Sequence, residues 1–519
     1  MKLTDILYSR RAFIALGCIL ACTFAAAVFV TAWVCDDAYI SFRTIDNFLN
    51  GYGLRWNTSQ RVQAYTHPLW LFLLTPVYFI TGEIYFSNIA VSIVFSCIAF
   101  GLLVFGISGS FLSTLLLGTA VAGSRAFIEF STSGLEAPLT HVLIACFFIV
   151  YSRAGAGEIE RLKLLCFITA LAALNRLDIL LLLLPALIFC VTRAYASSGS
   201  LKTMLKCMLL GFSPLIAWEV FSLVYYGFLF PNTAYAKIFT GIERTELVAQ
   251  GFHYVYECFR HNLTTMPVIM WAVLVAAVQR DTRTVPAAAG ILLYLAYVIY
   301  VGGDFMSGRF LTPPFFLALC VLSGHIVPRR AIEACVAGLI VLLLLVSVYE
   351  QKLLPPLENR HGIVNERWLY FRHTGLLHAL SGKKMPSHRW AIEGAQKRRS
   401  LPAGEKRVLF TYSVGFFGFE AGPGYHLIEP YAITDPFLAR LKAMPRYLDR
   451  DTWRIGHFIR NIPPGYMESV RTGKCVIKDE KKARLYDLTA IVTQRDIFSV
   501  KRLGAIWKLN TGSFSHDGV

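Results

Sequence analysis

Long apolar segments recur along the first 350 residues of this 519-residue chain, and they restrict its fold more than any other feature. About 20 consecutive apolar residues cross a bilayer as a helix, and shorter segments are tolerated inside helix bundles. Hydrophobic residues make up 55% of the sequence and charged residues 16%, which excludes an ordinary soluble domain. We therefore predict a polytopic membrane protein with roughly 11 spans. They lie near residues 12–34, 86–106, 109–123, 138–152, 162–175, 177–194, 205–227, 264–279, 285–301, 309–326 and 331–349.

Basic residues collect in short stretches between alternate apolar segments, which indicates the orientation. The cytoplasmic stretches contain Lys2, Arg10, Arg11, Arg153, Arg161, Lys163, Arg193, Lys202, Lys206, Arg280, Arg283, Arg329 and Arg330. The alternation holds only if residues 69–80, about a dozen in number, form an interfacial or re-entrant helix instead of a span. The net charge of +17 then reflects topology and contacts with membrane lipids, and no nucleic-acid partner is predicted.

The composition changes after Glu350, where charged, Pro- and Gly-containing sequence replaces the apolar segments. We predict a transmembrane catalytic domain over residues 1–350, with its first extracytoplasmic loop at 35–85, and a soluble extracytoplasmic domain over 351–519. The second domain should mix helices with short strands. VLFTYSVGFFGFEAG is typical of a buried strand and a turn, and EKKARLYDLTAIVTQRD of a helix or loop entering a short strand.

Two adjacent carboxylates, Asp36 and Asp37, stand where the first span should leave the bilayer. Charges at such a boundary are costly, so they persist where they snorkel, find a partner or take part in chemistry. One of them could act as a general base towards an attacking hydroxyl, while the other orients a hydroxyl. The alternative is a helix cap, because Asp is favoured where a helix begins. Arg43 and His67 follow among several aromatic residues, a combination suited to an anionic sugar ligand.

Four more polar stretches share the predicted extracytoplasmic side with this opening segment, and we predict that all five form one site. They are residues 124–138, 175–178, 229–244 and 302–309. The candidate donor- and acceptor-binding residues are Arg43, His67, Glu136, Arg176, Asp178, Asn232, Tyr235, Lys237, Asp304 and Arg309.

Each of these stretches also has a structural interpretation. Arg176 and Asp178 could form an ion pair that closes a tight turn between helices, and Asp304 with Arg309 could be a salt bridge at a helix end. Glu136 could interact with a helix dipole. The stretch around Asn232 could be a plain polar loop.

Nucleotide and metal sites have sequence signatures that this chain lacks. It contains no Walker loop, no dinucleotide fingerprint and no zinc-ligand spacing. We therefore predict no cofactor and no metal. Arginine and lysine side chains can neutralise a departing phosphate in their place.

Several motifs occur in one order along the chain: CDDAYISFR, NGYGLRWN, RVQAYTHPLW, STSGLEAPL, NRLD, FPNTAYAK, GGDFMSGRFLTP, AITDPFLARL and WRIGHFIRNIPPGY. Together they resemble the membrane arabinofuranosyltransferases of the glycosyltransferase C (GT-C) superfamily, of mycobacterial type and with pilin-glycosylating relatives. The resemblance runs from the first helix to about residue 470. It implies a polyprenyl-phosphate-linked pentofuranose donor, an extracytoplasmic site under the first loop, and a catalytic Asp at Asp36 or Asp37. Arg176 is carried over as a donor-site residue, although NRLD stands where RPD-like forms are commoner.

The predicted function is transfer of an arabinofuranosyl residue from a polyprenyl-phosphate donor to a hydroxyl of an acceptor glycan or glycoprotein. The predicted location is the outer face of a bacterial inner membrane, and the chain should act as a monomer. Three alternatives remain: a polyprenyl-phosphate hexose transferase of the mannose type, a lipid-linked sugar flippase, and a glycan-binding membrane anchor, which would tolerate loss of both aspartates. Neither the acceptor, the stereochemical outcome nor the choice of base between Asp36 and Asp37 follows from the sequence.

Overall fold

The structure is a computed structural model that describes residues 10–153, 157–324, 361–445 and 453–511. The chain divides into two compact units. Unit 1 comprises Met1–Val34, Tyr85–Leu215 and Thr245–Leu380, and unit 2 comprises Cys35–Ile84, Ile216–Arg244 and Ser381–Val519. The predicted first loop, residues 35–85, thus falls almost entirely in unit 2. The predicted domain boundary at residue 350 separates a membrane-embedded part of the chain from a soluble part, and this division stays a prediction.

Helices dominate the described chain. In order they are α1 (Arg10–Thr31), α2 (Ala38–Leu49), α3 (Pro68–Thr81), α4 (Ile84–Gly101), α5 (Phe111–Gly123), α6 (Arg125–Phe130), α7 (Ala137–Ser152), α8 (Glu158–Asn175), α9 (Ile179–Ser198), α10 (Leu201–Gly211), α11 (Ser213–Tyr225), α12 (Asn232–Ile238), α13 (Arg244–His261), α14 (Thr265–Gln279), α15 (Thr284–Tyr300), α16 (Thr312–Ser323), α17 (Glu366–Thr374), α18 (Leu376–Leu380), α19 (Arg389–Ser400), α20 (Phe416–Ala421), α21 (Tyr466–Thr472), α22 (Glu480–Gln494) and α23 (Val500–Asn510). Two strands, β1 (Arg407–Phe410) and β2 (Tyr425–Ile428), a π-helix (Leu102–Ile107) and two 3-10 helices (Arg309–Leu311 and Leu438–Arg440) complete the regular structure of the described residues.

The apolar segments of the described chain lie on helices, as predicted. Among the residues that the structure describes, three helical stretches are long and apolar enough to cross a membrane: α1, Ile84–Ile107 and α9. Two bent helix pairs, α10 with α11 at 61° and α13 with α14 at 105°, raise that number to five if each pair is one span. The predicted span at 331–349 lies outside the described residues, and the total number of spans stays a prediction.

Residues 69–80 form helix α3, which begins at Pro68 and ends before Gly82. Proline suits a first helical turn because its missing N–H would have no partner there. Gly82 adopts a left-handed conformation, which ends the helix. An interfacial or re-entrant placement of this helix stays a prediction.

Close helix packing in unit 1 positions the turn at residues 176–178. Helix α9 packs against both α8 and α15. A Cβ at Gly290 of α15 would lie 2.0 Å from the carbonyl oxygen of Leu182 in α9, so only glycine permits this approach. Small residues at such contacts are typical of helix packing in membranes.

Unit 2 contains a small parallel sheet. Strand β1 pairs with β2 in a register from Arg407 with Tyr425 to Phe410 with Ile428, and α20 connects the two strands. One apolar core of this unit contains Ile40 and Trp56 from the opening segment, with Phe417 and Leu427 from the β1–β2 region. The predicted strand in VLFTYSVGFFGFEAG is therefore present, and a helix follows the turn.

The segment EKKARLYDLTAIVTQRD differs from its prediction, because Glu480–Gln494 is one helix and contains no strand. Asp479 caps it by accepting a hydrogen bond from the backbone N–H of Lys482 at 3.0 Å. Leu485, Thr489 and Val492 recur at helical spacing and are buried. Burial of this face outweighs the β-propensity of the Thr and Val residues near its end.

Candidate functional site

Asp36 lies in unit 2, two residues before the start of α2, and its carboxylate accepts a hydrogen bond from backbone in a distant part of the sequence. Its Oδ1 accepts a hydrogen bond of 2.7 Å from the backbone N–H of Phe416. The residue is only 9% exposed. A Cβ at Gly415 would lie 2.5 Å from the Asp36 carboxyl carbon, so the absence of a side chain at 415 makes room for the acid.

Burial raises the pKa of Asp36 from its ordinary value of 3.8 to about 7. The hydrogen bond from the Phe416 N–H lowers the pKa and the charge of Asp37 raises it, but burial has the largest effect. A carboxylate with a pKa near the ambient pH is suited to general base catalysis, because it is partly ionised and still basic enough to accept a proton. The geometry therefore makes Asp36 the stronger candidate for the base.

Asp37 occupies the N-cap position of α2, which is the structural alternative predicted for this acid pair. Its side chain makes no capping hydrogen bond, however. The side chain is half-buried. Helix capping therefore does not account for the carboxylate of Asp37. Its role in orienting a hydroxyl stays a prediction.

Arg43 and His67, also in unit 2, have partners within the fold. The Arg43 guanidinium donates to the carbonyl oxygens of Trp56 and Tyr425, each at 2.9 Å, and to that of Gly418. These contacts favour a structural role for Arg43. The Nε2 atom of His67 is 2.8 Å from the Ser41 hydroxyl, and the histidine is buried at the start of α3.

The stretch around Asn232 belongs to unit 2 as well, and its three candidates differ in exposure. The Asn232 amide nitrogen lies 2.9 Å from the carbonyl oxygen of Ala432 and 3.0 Å from that of Ile433, so this side chain holds a bend in the backbone. Tyr235 is half-buried, and the Arg440 guanidinium lies over its ring at 4.7 Å. Lys237 is exposed at the end of α12, which leaves it the most accessible of the three.

In unit 1 the structure brings five predicted residues into one ion cluster: Glu136, Arg176, Asp178, Asp304 and Arg309. Arg309 Nη2 donates to Glu136 Oε1 at 3.1 Å, and Arg309 Nη1 lies 3.6 Å from Asp304 Oδ2. Arg176 pairs with both oxygens of Asp178 and lies 3.5 Å from Glu136 Oε1. The predicted convergence of these three stretches is therefore present within unit 1.

The charges of this cluster are nearly balanced, with two guanidiniums facing three carboxylates. Glu136 is 1% exposed and Asp304 is 2% exposed. Such buried ions persist only when each has a partner of opposite charge. The Arg176–Asp178 pair closes the turn between α8 and α9, as its structural interpretation predicted, and the Tyr294 hydroxyl donates to Asp178 at 2.9 Å. Ligand contacts by these five residues stay a prediction.

A buried acidic network in unit 2 was not singled out from the sequence. The Glu429 carboxylate accepts hydrogen bonds from the backbone N–H and the hydroxyl of Thr434, at 2.8 and 3.2 Å. Asp435 accepts from the backbone N–H groups of Phe437 and Leu438 and from the Tyr466 hydroxyl. The only signal was the presence of charged residues within the motif AITDPFLARL and directly before it.

Burial raises the pKa of Glu429 from 4.5 to about 8, so this side chain is mostly protonated at neutral pH. In the unfolded chain Glu429 has its ordinary pKa of 4.5 and loses its proton at lower pH than in the folded protein. We therefore expect stability to fall by about 1.4 kcal/mol per pH unit as pH rises from 4.5 to about 8. Glu429→Gln should remove this contribution, which stands apart above pH 7 because the raised pKa values of Asp36 (about 7) and Asp435 (about 6) add similar slopes at lower pH. Urea titrations followed by tryptophan fluorescence between pH 7 and pH 8 would measure it. Glu393→Gln, an exposed control in α19, should keep the wild-type slope. Equal slopes for all three proteins would contradict a neutral Glu429.

Among the described residues, no three His, Cys, Asp or Glu side chains are grouped so that they could hold a metal ion. The predicted absence of a metal and of a cofactor stays a prediction.

Comparisons with known proteins support the resemblance seen in the motifs. No protein-family model matches the chain. The chain is 28% identical over 330 residues to the terminal β-(1→2)-arabinofuranosyltransferase of Mycobacterium tuberculosis, which covers 55% of this chain and 51% of that protein. It is 27% identical over 364 residues to the protein of the same name from Corynebacterium glutamicum, covering 61% of this chain and 51% of that one. The chain thus spans about half the length of the curated relatives it matches.

A solved structure shares the architecture. The crystal structure of ArnT from Cupriavidus metallidurans bound to undecaprenyl phosphate matches 81% of this chain and 86% of that chain, with a TM-score of 0.51 and 12% sequence identity. At this identity the likeness shows the fold alone. It confirms that the chain has a mostly helical fold like that of this structure, while the C-terminal domain and the number of spans remain predictions.

Proposed function

We propose that this protein is a membrane glycosyltransferase that transfers an arabinofuranosyl residue from a polyprenyl phosphate to a hydroxyl of a glycan or glycoprotein. The observation that carries the proposal is the buried Asp36 carboxylate, which lies in a sequence resembling the arabinofuranosyltransferases. Its pKa near 7 suits proton transfer at physiological pH. The choice of arabinofuranose as the transferred sugar rests on the similarity to the two curated arabinofuranosyltransferases.

In the proposed reaction the acceptor hydroxyl oxygen attacks the anomeric carbon of the donor sugar. The bond between that carbon and the phosphate oxygen breaks, and its electron pair leaves with the lipid phosphate. The hydroxyl proton passes to the ionised Asp36 carboxylate. This step is a direct displacement. In a double displacement an enzyme carboxylate would first displace the lipid phosphate, and the acceptor hydroxyl would then attack the anomeric carbon and break its bond to that carboxylate, again passing its proton to Asp36.

The predicted cations have different surroundings, and this affects their proposed roles. Lys237 is exposed, so its ammonium is the better placed of the unit 2 candidates to meet a phosphate. Arg43 is buried among carbonyl oxygens, and we assign it to the fold. In unit 1 three carboxylates face two guanidiniums, so we assign Arg176 and Arg309 to fixing the turns and not to neutralising a free phosphate dianion.

The test uses the full-length protein in proteoliposomes with two labelled donors, polyprenyl-phosphoryl arabinofuranose and polyprenyl-phosphoryl mannose. An extract of cell-envelope glycans serves as the acceptor mixture. We expect label to appear in the glycan fraction from the arabinofuranose donor and not from the mannose donor. The matched control is the same liposome preparation without protein.

Three other results would overturn parts of the proposal. Transfer from the mannose donor alone would identify a hexosyltransferase. Movement of intact donor between leaflets without any labelled glycan would identify a flippase. No transfer and no movement with either donor, in protein that elutes as a single folded species, would remove both activities.

A further inference from the structure

A cavity of about 470 Å³ lies within unit 1, beside helix α1. The described residues that line it come from α1, α4, α5, α6, α13 with the adjoining Asn262, and the segments at 307–308 and 363–368. Its volume falls in the range of ligand-binding pockets. None of the predicted site residues lines it.

The cavity changes from apolar to polar along the axis of α1. Leu20, Phe24 and Ala27 line its apolar part together with Phe100, whereas Thr31, Arg125 and Arg367 line its polar part. Leu20 and Thr31 are separated by 11 residues, which corresponds to about 16 Å along a helix. Because α1 is long and apolar enough to cross a membrane, this gradient matches that of an amphiphile standing in one leaflet.

The polar part contains buried groups whose hydrogen bonding is incomplete among the described residues. Asn262 is 7% exposed, and neither its amide nitrogen nor its amide oxygen has a hydrogen-bond partner among the residues that the structure describes. Glu257 Oε2 and His261 Nε2 lie 3.2 Å apart, and neither atom has a hydrogen bond to any further described group. Buried polar atoms are nearly always satisfied in folded proteins, so a cluster of unsatisfied ones indicates a missing ligand.

The charges in the cavity identify the class of ligand. Arg125 is paired with Glu129 at 2.8 Å. Arg367 donates from Nε to the Thr31 carbonyl oxygen at 3.1 Å, and its guanidinium lies over the Phe371 ring at 4.2 Å. Its two terminal nitrogens make no hydrogen bond to a described residue. The Glu257 carboxylate lies in the same cavity and carries the charge opposite to that of the Arg367 guanidinium. A ligand that pairs with both Arg367 and Glu257 needs an anionic group for the arginine and a cationic group for the glutamate.

We propose that this cavity binds the headgroup of a zwitterionic aminophospholipid. The phosphodiester would accept hydrogen bonds from Arg367 and the Asn262 amide nitrogen, and the primary ammonium would donate to Glu257 Oε2 and the Asn262 amide oxygen. The start of an acyl chain would pack on the apolar residues of α1. A phosphate monoester dianion fits less well, because Glu129 and Glu257 would both repel it.

The experiment measures lipid retention by the full-length protein, purified in detergent and exposed to equal amounts of phosphatidylethanolamine, phosphatidylcholine and phosphatidylglycerol with identical acyl chains. Native mass spectrometry counts each bound lipid. We expect phosphatidylethanolamine to be retained over phosphatidylcholine by roughly tenfold, because a trimethylated ammonium cannot donate hydrogen bonds to Glu257. Equal retention of these two lipids, or preferred retention of phosphatidylglycerol, would overturn the proposal.

Variants separate the two halves of the headgroup. Glu257→Gln should abolish the preference for phosphatidylethanolamine over phosphatidylcholine, whereas Arg367→Gln should weaken retention of both lipids by about tenfold. Glu246→Gln and Arg260→Gln change exposed residues of the same helix, α13, and should leave both quantities unchanged. A wild-type preference that survives in Glu257→Gln would contradict the assignment of the ammonium.

Two further measurements test where the lipid binds and which lipid it is. Ala27→Phe fills the apolar end of the cavity, so it should reduce retention without changing the lipid preference, even if the Glu257 variant fails to fold. Polyprenyl phosphate is added in competition with phosphatidylethanolamine. Displacement at equal concentration would assign the cavity to the donor lipid and overturn the proposal. These outcomes do not depend on sugar transfer, so they are independent of the proposed catalytic function.

Discussion

Asp36→Asn should reduce sugar transfer by about 100- to 10,000-fold, the usual contribution of a positioned general base. Asparagine keeps an oxygen that can accept the hydrogen bond from the Phe416 N–H, so the backbone around it should hold its position. What the substitution removes is the ability to accept a proton. We expect a loss of kcat with little change in the KM for the donor, measured with labelled lipid-linked arabinofuranose in proteoliposomes.

The pH dependence of the wild-type rate is a second, independent test of whether Asp36 acts as the base. Because burial raises the pKa of Asp36 to about 7 and the ionised form is the base, kcat/KM should rise as pH increases through 7 and level off above it. The residual activity of Asp36→Asn should lack this rise. Asp37→Asn should retain the rise with a smaller loss of rate.

Asp487→Asn, at an exposed position of α22, is the matched control for charge removal and should behave as wild type. Full activity in the Asp36 variant would exclude Asp36 as the base. If the Asp37 variant alone lost the dependence on pH, the base would be Asp37.

The sequence predicted the features of this chain that depend on local pattern. Apolar segments of spanning length became helices, since a backbone in lipid must satisfy its hydrogen bonds within the helix. The meeting of Glu136, Arg176 and Arg309 in unit 1 was also predicted, because alternating topology places their segments on the same side. The paired acids were recognised as unusual because charge at a membrane boundary is costly.

The partners of these residues could not be predicted, since they come from far along the chain. The Phe416 N–H that holds Asp36 is 380 residues away, and the Gly418 and Tyr425 carbonyls bound by Arg43 are 375 and 382 residues away. No local pattern specifies such contacts, which are set by tertiary packing. For the same reason the sequence predicts Arg43 as a ligand-binding residue, whereas in the structure its guanidinium is buried and donates hydrogen bonds to backbone carbonyl oxygens.

Removal of one cation from the ion cluster should have the largest effect on stability. Arg176 is 6% exposed, pairs with Asp178 through both carboxylate oxygens and lies 3.5 Å from Glu136. In Arg176→Gln a single guanidinium, that of Arg309, faces three carboxylates. Removing one partner of a buried ion pair typically costs about 3–5 kcal/mol, because the remaining charge stays buried without compensation. Thermal unfolding in detergent micelles, followed by tryptophan fluorescence, would measure the loss.

The double variant Arg176→Met with Asp178→Leu distinguishes a structural pair from a ligand contact. Replacing both members of a buried pair by apolar side chains is often close to neutral, so the double variant should recover much of the stability lost in Arg176→Gln. Arg193→Gln is the control, because its pair with Glu158 is more than half exposed on the arginine side and should contribute less than about 1 kcal/mol. If Arg176→Gln unfolds like wild type while the KM for the lipid donor rises, the arginine acts on the substrate and the cluster is a binding site. If stability falls and the double variant restores it, the cluster is a structural element that fixes the turn between α8 and α9.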